Sequence, residues 1–187
     1  MRLFAALDLP AEVRDAMLKT TANLRAEAPG ARWSKPESLH VTLKFLGETD
    51  ESLLPRIKIV LEKIGAAGAV ALSLRGVGFF PDAKRPRVMW CGVRASPNLA
   101  ELAVEIEKSL HTLGFQMEGR PYVPHVTLAR LNSARNVEKL VRAAAPLTSY
   151  DFGAARESEF HLFESVLKPS GSEYKKLATF RFVKDAP

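Results

Sequence analysis

The chain has 187 residues, 47% of them hydrophobic and 26% charged, with a formal net charge of +6. This is ordinary globular composition, enough for one medium domain or two tightly packed lobes around a real core. No apolar run approaches the roughly 18 residues that span a bilayer, and the single Cys91 excludes an intramolecular disulfide framework and suits a reducing cytoplasm.

Leu3 to Leu9 is a first apolar strand, ended by Pro10, and reads as a strand and not a signal peptide because Asp8 breaks it. A helix is predicted from Ala11 to Ala28, with Val13, Met17, Thr21 and Leu24 at helical spacing. His40 to Phe45 follows as a strand closed by Gly47, then a helix from Glu51 to Ile64 with Pro55 in its first turn. Val70 to Phe80 and Arg87 to Arg94 read as strands. Ser96-Pro97 reads as a capping serine with proline at the first position of a helix that ends at Gly114. Phe115 to Glu118 and His125 to Arg130 are predicted strands around the proline turn Pro121 to Pro124. A short helix fits Asn136 to Ala144, and Glu159 to Leu167 and Thr179 to Val183 close the chain as strands. Mixed elements without strict alternation indicate α+β, and with no flexible linker any lobes should pack tightly as one unit over residues 1–187.

Within this order the tetrapeptide His-Val-Thr-Leu occurs twice, at His40 to Leu43 and His125 to Leu128. With four histidines and eight threonines in the chain, two His-x-Thr pairs are roughly a one-in-a-hundred coincidence before Val and Leu are counted. Side chains alternate along a strand, so His40, Thr42 and Lys44 share one face while Val41, Leu43 and Phe45 share the other. His125 and Thr127 likewise lie opposite Val126 and Leu128. Each strand offers an apolar back to a core and a His-Thr face to a cleft.

Two facing imidazoles suit proton transfer near neutral pH, since an unperturbed histidine titrates near 6.5. Threonine hydroxyls can donate to phosphate oxygens, with Lys44 and Arg130 as additional charge. Strict alternation points Arg130 away from His125, so its participation requires the strand to end or bulge near Ala129. No metal or cofactor is expected: neither copy has His-x-His, His-Glu-x-x-His or an acidic cluster beside it. No Gly-x-Ser-x-Gly elbow supports a serine nucleophile, and Cys91 reads as a small buried hydrophobe. His111 is expected on the surface. His161, in Phe160-His161-Leu162-Phe163, is read as lying opposite both phenylalanines, at an exposed strand position. Trp33, Phe79 and Phe80 are candidates to stack a nucleobase, with core packing the commoner role. The net positive charge favours an anionic partner, although Lys and Arg are scattered and not clustered.

The repeated motif resembles the signature pair of the two-histidine phosphoesterases. Its surroundings resemble, more narrowly, the bacterial and archaeal RNA 2′,3′-cyclic phosphodiesterases, formerly described as 2′-5′ RNA ligases. The matching segments are Arg2 to Leu7 with Leu9-Pro10, Trp33 through Gly47, Phe80-Pro81, Pro86 to Trp90, Pro124 to Arg130, Leu162 to Ser165, Gly171 and Tyr174. The resemblance implies a bilobal α+β fold with two pseudo-symmetric lobes, whose antiparallel sheets form a central cleft flanked by helices. It implies hydrolysis of RNA 2′,3′-cyclic phosphate ends to 2′-phosphomonoesters without metal. His40 would be the proton donor and His125 the proton acceptor, with Thr42, Thr127 and Arg130 binding the phosphoryl oxygens. The alternatives are 2′-5′ RNA ligation at the same site and a non-catalytic RNA-end-binding module. A cytoplasmic monomer is expected.

Overall fold

The computed structural model describes residues 1–64, 68–132, 135–168 and 171–181. Its strands are β1 (Arg2–Leu7), β2 (Arg32–Trp33), β3 (Val41–Glu48), β4 (Val70–Phe80), β5 (Val88–Ala95), β6 (His125–Arg130), β7 (Asp151–Glu157), β8 (Glu159–Lys168) and β9 (Gly171–Arg181). Among the described residues four α-helices accompany them: α1 (Ala11–Thr21), α2 (Leu54–Glu62), α3 (Asn98–His111) and α4 (Val137–Ala144).

Among the described residues these strands form one antiparallel sheet, ordered β7-β4-β5-β6-β3-β1-β8-β9, with β2 added beside β6. The order is symmetric about the β6–β3 junction, with four strands on each side. The two halves meet through one bridge, Val41 opposite Val126. The fold is therefore α+β and two-lobed, with the two motif strands at its centre.

One face of the sheet is apolar and covered by helices. Val13 and Met17 of α1, Ile57 and Leu61 of α2, Leu99 and Ile106 of α3 and Leu140 of α4 join Leu7, Val41, Leu74, Met89 and Val126 in a common core. Burying such side chains contributes on the order of 1.5–3 kcal/mol each. The helices also cross between lobes. α1, which follows β1 of the first half, packs against β7 of the other half. α3, which connects β5 to β6, packs against β3. Each lobe thus covers its sheet with a helix from the other, which locks the angle of the cleft.

Several elements differ from the sequence reading. Thr21 ends α1, and the predicted helix tightens into a 3-10 segment over Ala22–Glu27, with Leu24 still buried. Ser96 does not cap α3 with its side chain: its hydroxyl accepts from the Ala71 N–H and donates to Asn98 Oδ1. Phe115 to Glu118 forms no strand; its backbone is tied instead to Lys44 and Glu107. β7 escapes the sequence reading because Phe152 is its one buried residue, leaving little alternation to read. β9 starts well before Thr179, since its polar residues become a strand by pairing with β8. Phe182 and Val183 of the predicted last strand lie outside the described residues.

Candidate active site

Register places the motifs. With Val41 opposite Val126 in an antiparallel pair, His40 is set against Thr127 and Thr42 against His125. All four side chains share the face away from the helices. Diagonal neighbours in such a pair are about 7–8 Å apart, so the imidazoles stand on opposite corners of a small quadrilateral. His125 begins β6, and His40 stands one residue ahead of β3 and not inside it.

Beyond the threonines both strands depart from strict alternation in the same way. Ala5 and Ala6 of β1 pair with Lys44 and Thr42, leaving Leu43 as an extra residue. Met89 and Trp90 of β5 pair with Ala129 and Thr127, leaving Leu128 extra. These are β-bulges at equivalent leucines, and a bulge resets the face of every residue after it. Lys44 is consequently turned to the helix side, 5% exposed, and is corrected from a cleft cation to a buried one. Its Nζ donates to Glu107 Oε1 of α3 and to the Gln116 carbonyl, each at 2.7 Å. Phe45, expected on the core side, is 53% exposed and packs against Phe4 on the cleft side. In the second copy the bulge brings Arg130 back to the cleft, where it lines a recess with Phe4, Phe45 and Tyr174.

Paired backbone anchors hold the two motifs. The His125 ring bonds the Val123 carbonyl through Nδ1 at 2.8 Å. A carbonyl can only accept, so Nδ1 carries a proton, and in the neutral ring Nε2 is the nitrogen left to accept. The Ser38 backbone, likewise two residues upstream, acts on the His40 ring. Where β3 and β6 splay apart, the orphaned carbonyls find side chains. Tyr122 Oη donates to the Thr42 carbonyl at 3.0 Å, and Ser34 Oγ donates to the Thr127 carbonyl at 2.7 Å. Sequence reasoning missed Ser34 and Tyr122. Their one signal is position: each is a hydroxyl residue a few places ahead of a motif histidine.

The surroundings of the histidines are unequal. His40 is stacked on Phe4 at 4.8 Å between ring centroids and edge-on to Tyr174 at 5.3 Å, with Phe163 beyond. Burial in this aromatic wall lowers its pKa to about 4, against the opposing pull of Asp8 and the Ser38 backbone, while Arg130 and His125 reinforce the shift. His125 meets Phe80 edge-on at 5.1 Å, and Phe80 packs on Trp90. Of the three aromatics considered from sequence, Phe80 is in the cleft, while Trp33 and Phe79 pack against the core. A Cβ at Gly78 would run into the Trp90 ring, so glycine there lets the indole lie flat.

The low pKa of His40 has a consequence for stability. Between about pH 6.5 and 4 the unfolded chain takes up a proton at this residue that the folded protein refuses, so stability falls as pH drops through that window. The expected loss is on the order of 3 kcal/mol across it. Urea titrations at pH 7 and pH 4.5 should show a smaller acid loss for His40→Gln than for the unsubstituted protein. Equal losses would mean that His40 is protonated in the folded state.

His161 is a correction. It shares a face with Phe163, since residues two apart lie on one side, and it is 2% exposed. Its Nε2 accepts from Lys176 Nζ at 3.2 Å, and Nδ1 bonds Thr179 Oγ1 at 2.9 Å. Burial, with the Lys176 charge, lowers its pKa despite Glu159 and Asp8. His111 is exposed, as expected. Cys91 is buried and its thiol is pushed up to about 12 by desolvation, in keeping with a packing role. Among the described residues no group of three or more His, Cys, Asp or Glu is placed to hold a metal ion. Among them, too, no helix is long and apolar enough to cross a membrane.

A two-lobed antiparallel sheet with one His-x-Thr strand from each lobe is the architecture of a two-histidine phosphoesterase. The sequence matches the family described as LigT like phosphoesterase over residues 7–90 and 93–174, and the chain belongs to that family. It is 34% identical over 182 residues to the RNA 2′,3′-cyclic phosphodiesterase of Methanothermobacter thermautotrophicus, covering 97% of this chain and 98% of that protein. Its fold superposes on TT0787 of Thermus thermophilus with a TM-score of 0.80 and 32% identity, over 97% of this chain and 98% of that one. The crystal structure of E. coli LigT complexed with 3′-AMP gives a TM-score of 0.79 at 27% identity, over 97% of each chain.

Proposed function

We propose that the cleft hydrolyses the 2′,3′-cyclic phosphate end of an RNA to a 2′-phosphomonoester. The observation that carries this reading is the quadrilateral of His40, Thr42, His125 and Thr127 set by the Val41–Val126 bridge. It would set an imidazole on each side of one phosphate, with a hydroxyl beside each imidazole. The relative from Methanothermobacter thermautotrophicus, named RNA 2′,3′-cyclic phosphodiesterase, supports the substrate class.

His125, with Nδ1–H committed to Val123, offers Nε2 to take a proton from the attacking water. The water adds to phosphorus in line with O3′, and the P–O3′ bond breaks. His40 delivers a proton to O3′, leaving the phosphate on O2′. Burial keeps His40 neutral in the free protein; a bound phosphate anion beside it favours the imidazolium it must become. Thr42, Thr127 and Arg130 hold the non-bridging oxygens as charge gathers on them. On this reading the protein acts as a monomer in the cytoplasm, where a reduced, buried Cys91 is at home.

The test is incubation of an oligoribonucleotide 2′,3′-cyclic phosphate with the protein in EDTA, followed by identification of the product. A 2′-phosphate formed at an undiminished rate is expected. A 3′-phosphate would mean that O2′ leaves instead, and loss of activity restored by a divalent ion would overturn the metal-free mechanism.

A further inference from the structure

The two copies of the motif are alike, but the residues that face them from the neighbouring strands are not. β1 lies beside β3 as β5 lies beside β6, and in the same register: Leu7 is opposite Val41 as Cys91 is opposite Val126. One residue further on, Gly92 is opposite His125. The equivalent position in the first half, facing His40, belongs to Asp8, the residue after β1. It continues the cleft-side row of Phe4 and Ala6. A carboxylate thus faces one histidine of the pair and bare backbone faces the other.

That carboxylate is fixed in place. Its Oδ1 accepts from the Leu9 backbone N–H at 3.2 Å and lies 3.5 Å from Arg14 Nη1 of α1, while Oδ2 accepts from Lys176 Nζ of β9 at 3.2 Å. Lys176 reaches it over the Phe163 ring and donates as well to His161 Nε2. The buried His161, which the proposed proton transfer leaves idle, therefore helps to hold Lys176 and through it Asp8. Glu157 and Glu159 extend the acidic side of this cluster, and Arg130 and His125 of β6 act on His40 from the other side. Burial disfavours the imidazolium of His40, and Asp8 is the strongest influence in the opposite direction. The second half has no room for the same device: a Cβ at Gly92 would stand 2.8 Å from the Arg75 carbonyl oxygen.

Resting on the function proposed above, we propose that Asp8 is the positioning residue that divides the labour between the two histidines. Its carboxylate makes His40 the imidazole that takes up a proton and delivers it to O3′, while His125, faced by Gly92, serves as the base. Asp8 stays ionised and transfers no proton; it acts through His40.

The experiment compares kcat/KM of Asp8→Asn and Asp8→Glu with that of the unsubstituted protein on two dinucleotide 2′,3′-cyclic phosphates, one with oxygen and one with sulfur at the 3′ bridging position. Asparagine keeps the shape and the acceptor for the Leu9 N–H but removes the charge. Asp8→Asn should therefore lose roughly tenfold on the oxygen ester, in proportion to the protonated fraction of His40. On the sulfur ester, whose leaving group needs no proton, the loss should stay below about twofold. Asp8→Glu should keep most of the rate on both. In protein saturated with inorganic phosphate and isotope-labelled at its histidines, an NMR titration should show the pKa of His40 falling in Asp8→Asn. Equal rates or equal losses on the two esters, or a His40 titration that does not move, overturns the inference and leaves the hydrolytic function standing. No turnover of either ester by the unsubstituted protein overturns the function, and the inference with it.

Discussion

His125→Ala should lose turnover of a cyclic-phosphate RNA end by roughly 10²–10⁴-fold on every substrate, whereas His40→Ala should recover when the leaving group needs no proton. The distinguishing substrate is a cyclic ester with sulfur at the 3′ bridging position, which departs as a thiolate and makes protonation dispensable. A base that activates water remains necessary with either leaving atom. The reason for expecting this direction is local. The His125 ring is locked by Val123 with Nε2 free to accept, while His40 is walled in by Phe4 and Tyr174 and becomes protonated only with an anion beside it. His125→Ala should unfold at nearly the normal temperature, whereas His40→Ala also loses the ring contacts with Phe4 and Tyr174 and should melt somewhat lower. Rescue of His125→Ala in place of His40→Ala would exchange the two roles, and rescue of neither would remove the acid step.

The second large effect concerns stability. Glu107→Ala should cost about 3–5 kcal/mol, because it leaves the Lys44 ammonium buried with its main counter-charge removed. For a chain of this size that is a fall of about 10 °C in Tm. Glu118, 3.9 Å from the ammonium but largely exposed, can replace only part of the lost interaction. The double variant Lys44→Met/Glu107→Leu should regain most of the loss, since it removes the buried charge as well as its partner. A single variant that melts within a degree or two of the unsubstituted protein would show that Lys44 reaches water once Glu107 is gone. The pair matters to the cleft because it fastens α3 and the segment after it to β3, the strand that carries Thr42.

Much of the site is legible before folding is considered. The polar-apolar alternation of His-Val-Thr-Leu depends only on strand geometry, so the placement of His40, Thr42, His125 and Thr127 away from the core follows from residue order. Alternation misplaces Lys44 for a reason that it cannot contain: the bulge at Leu43 arises from pairing with β1. Arg130 poses the same problem with the opposite sign, and the bulge at Leu128 turns it inward. For His161 the sequence reading errs by parity, and its burial depends on β9 closing over it with Lys176 and Thr179.

By itself, then, the sequence determined two half-sites of matching chemistry on apolar-backed strands, because side-chain alternation is a property of one chain in extended form. Tertiary structure decided how the half-sites meet and what flanks them. The Val41–Val126 register sets each histidine against the other copy's threonine, and equivalent bulges send Lys44 to the core and Arg130 to the cleft. Register and bulges are relations between two strands, and neither strand carries them alone.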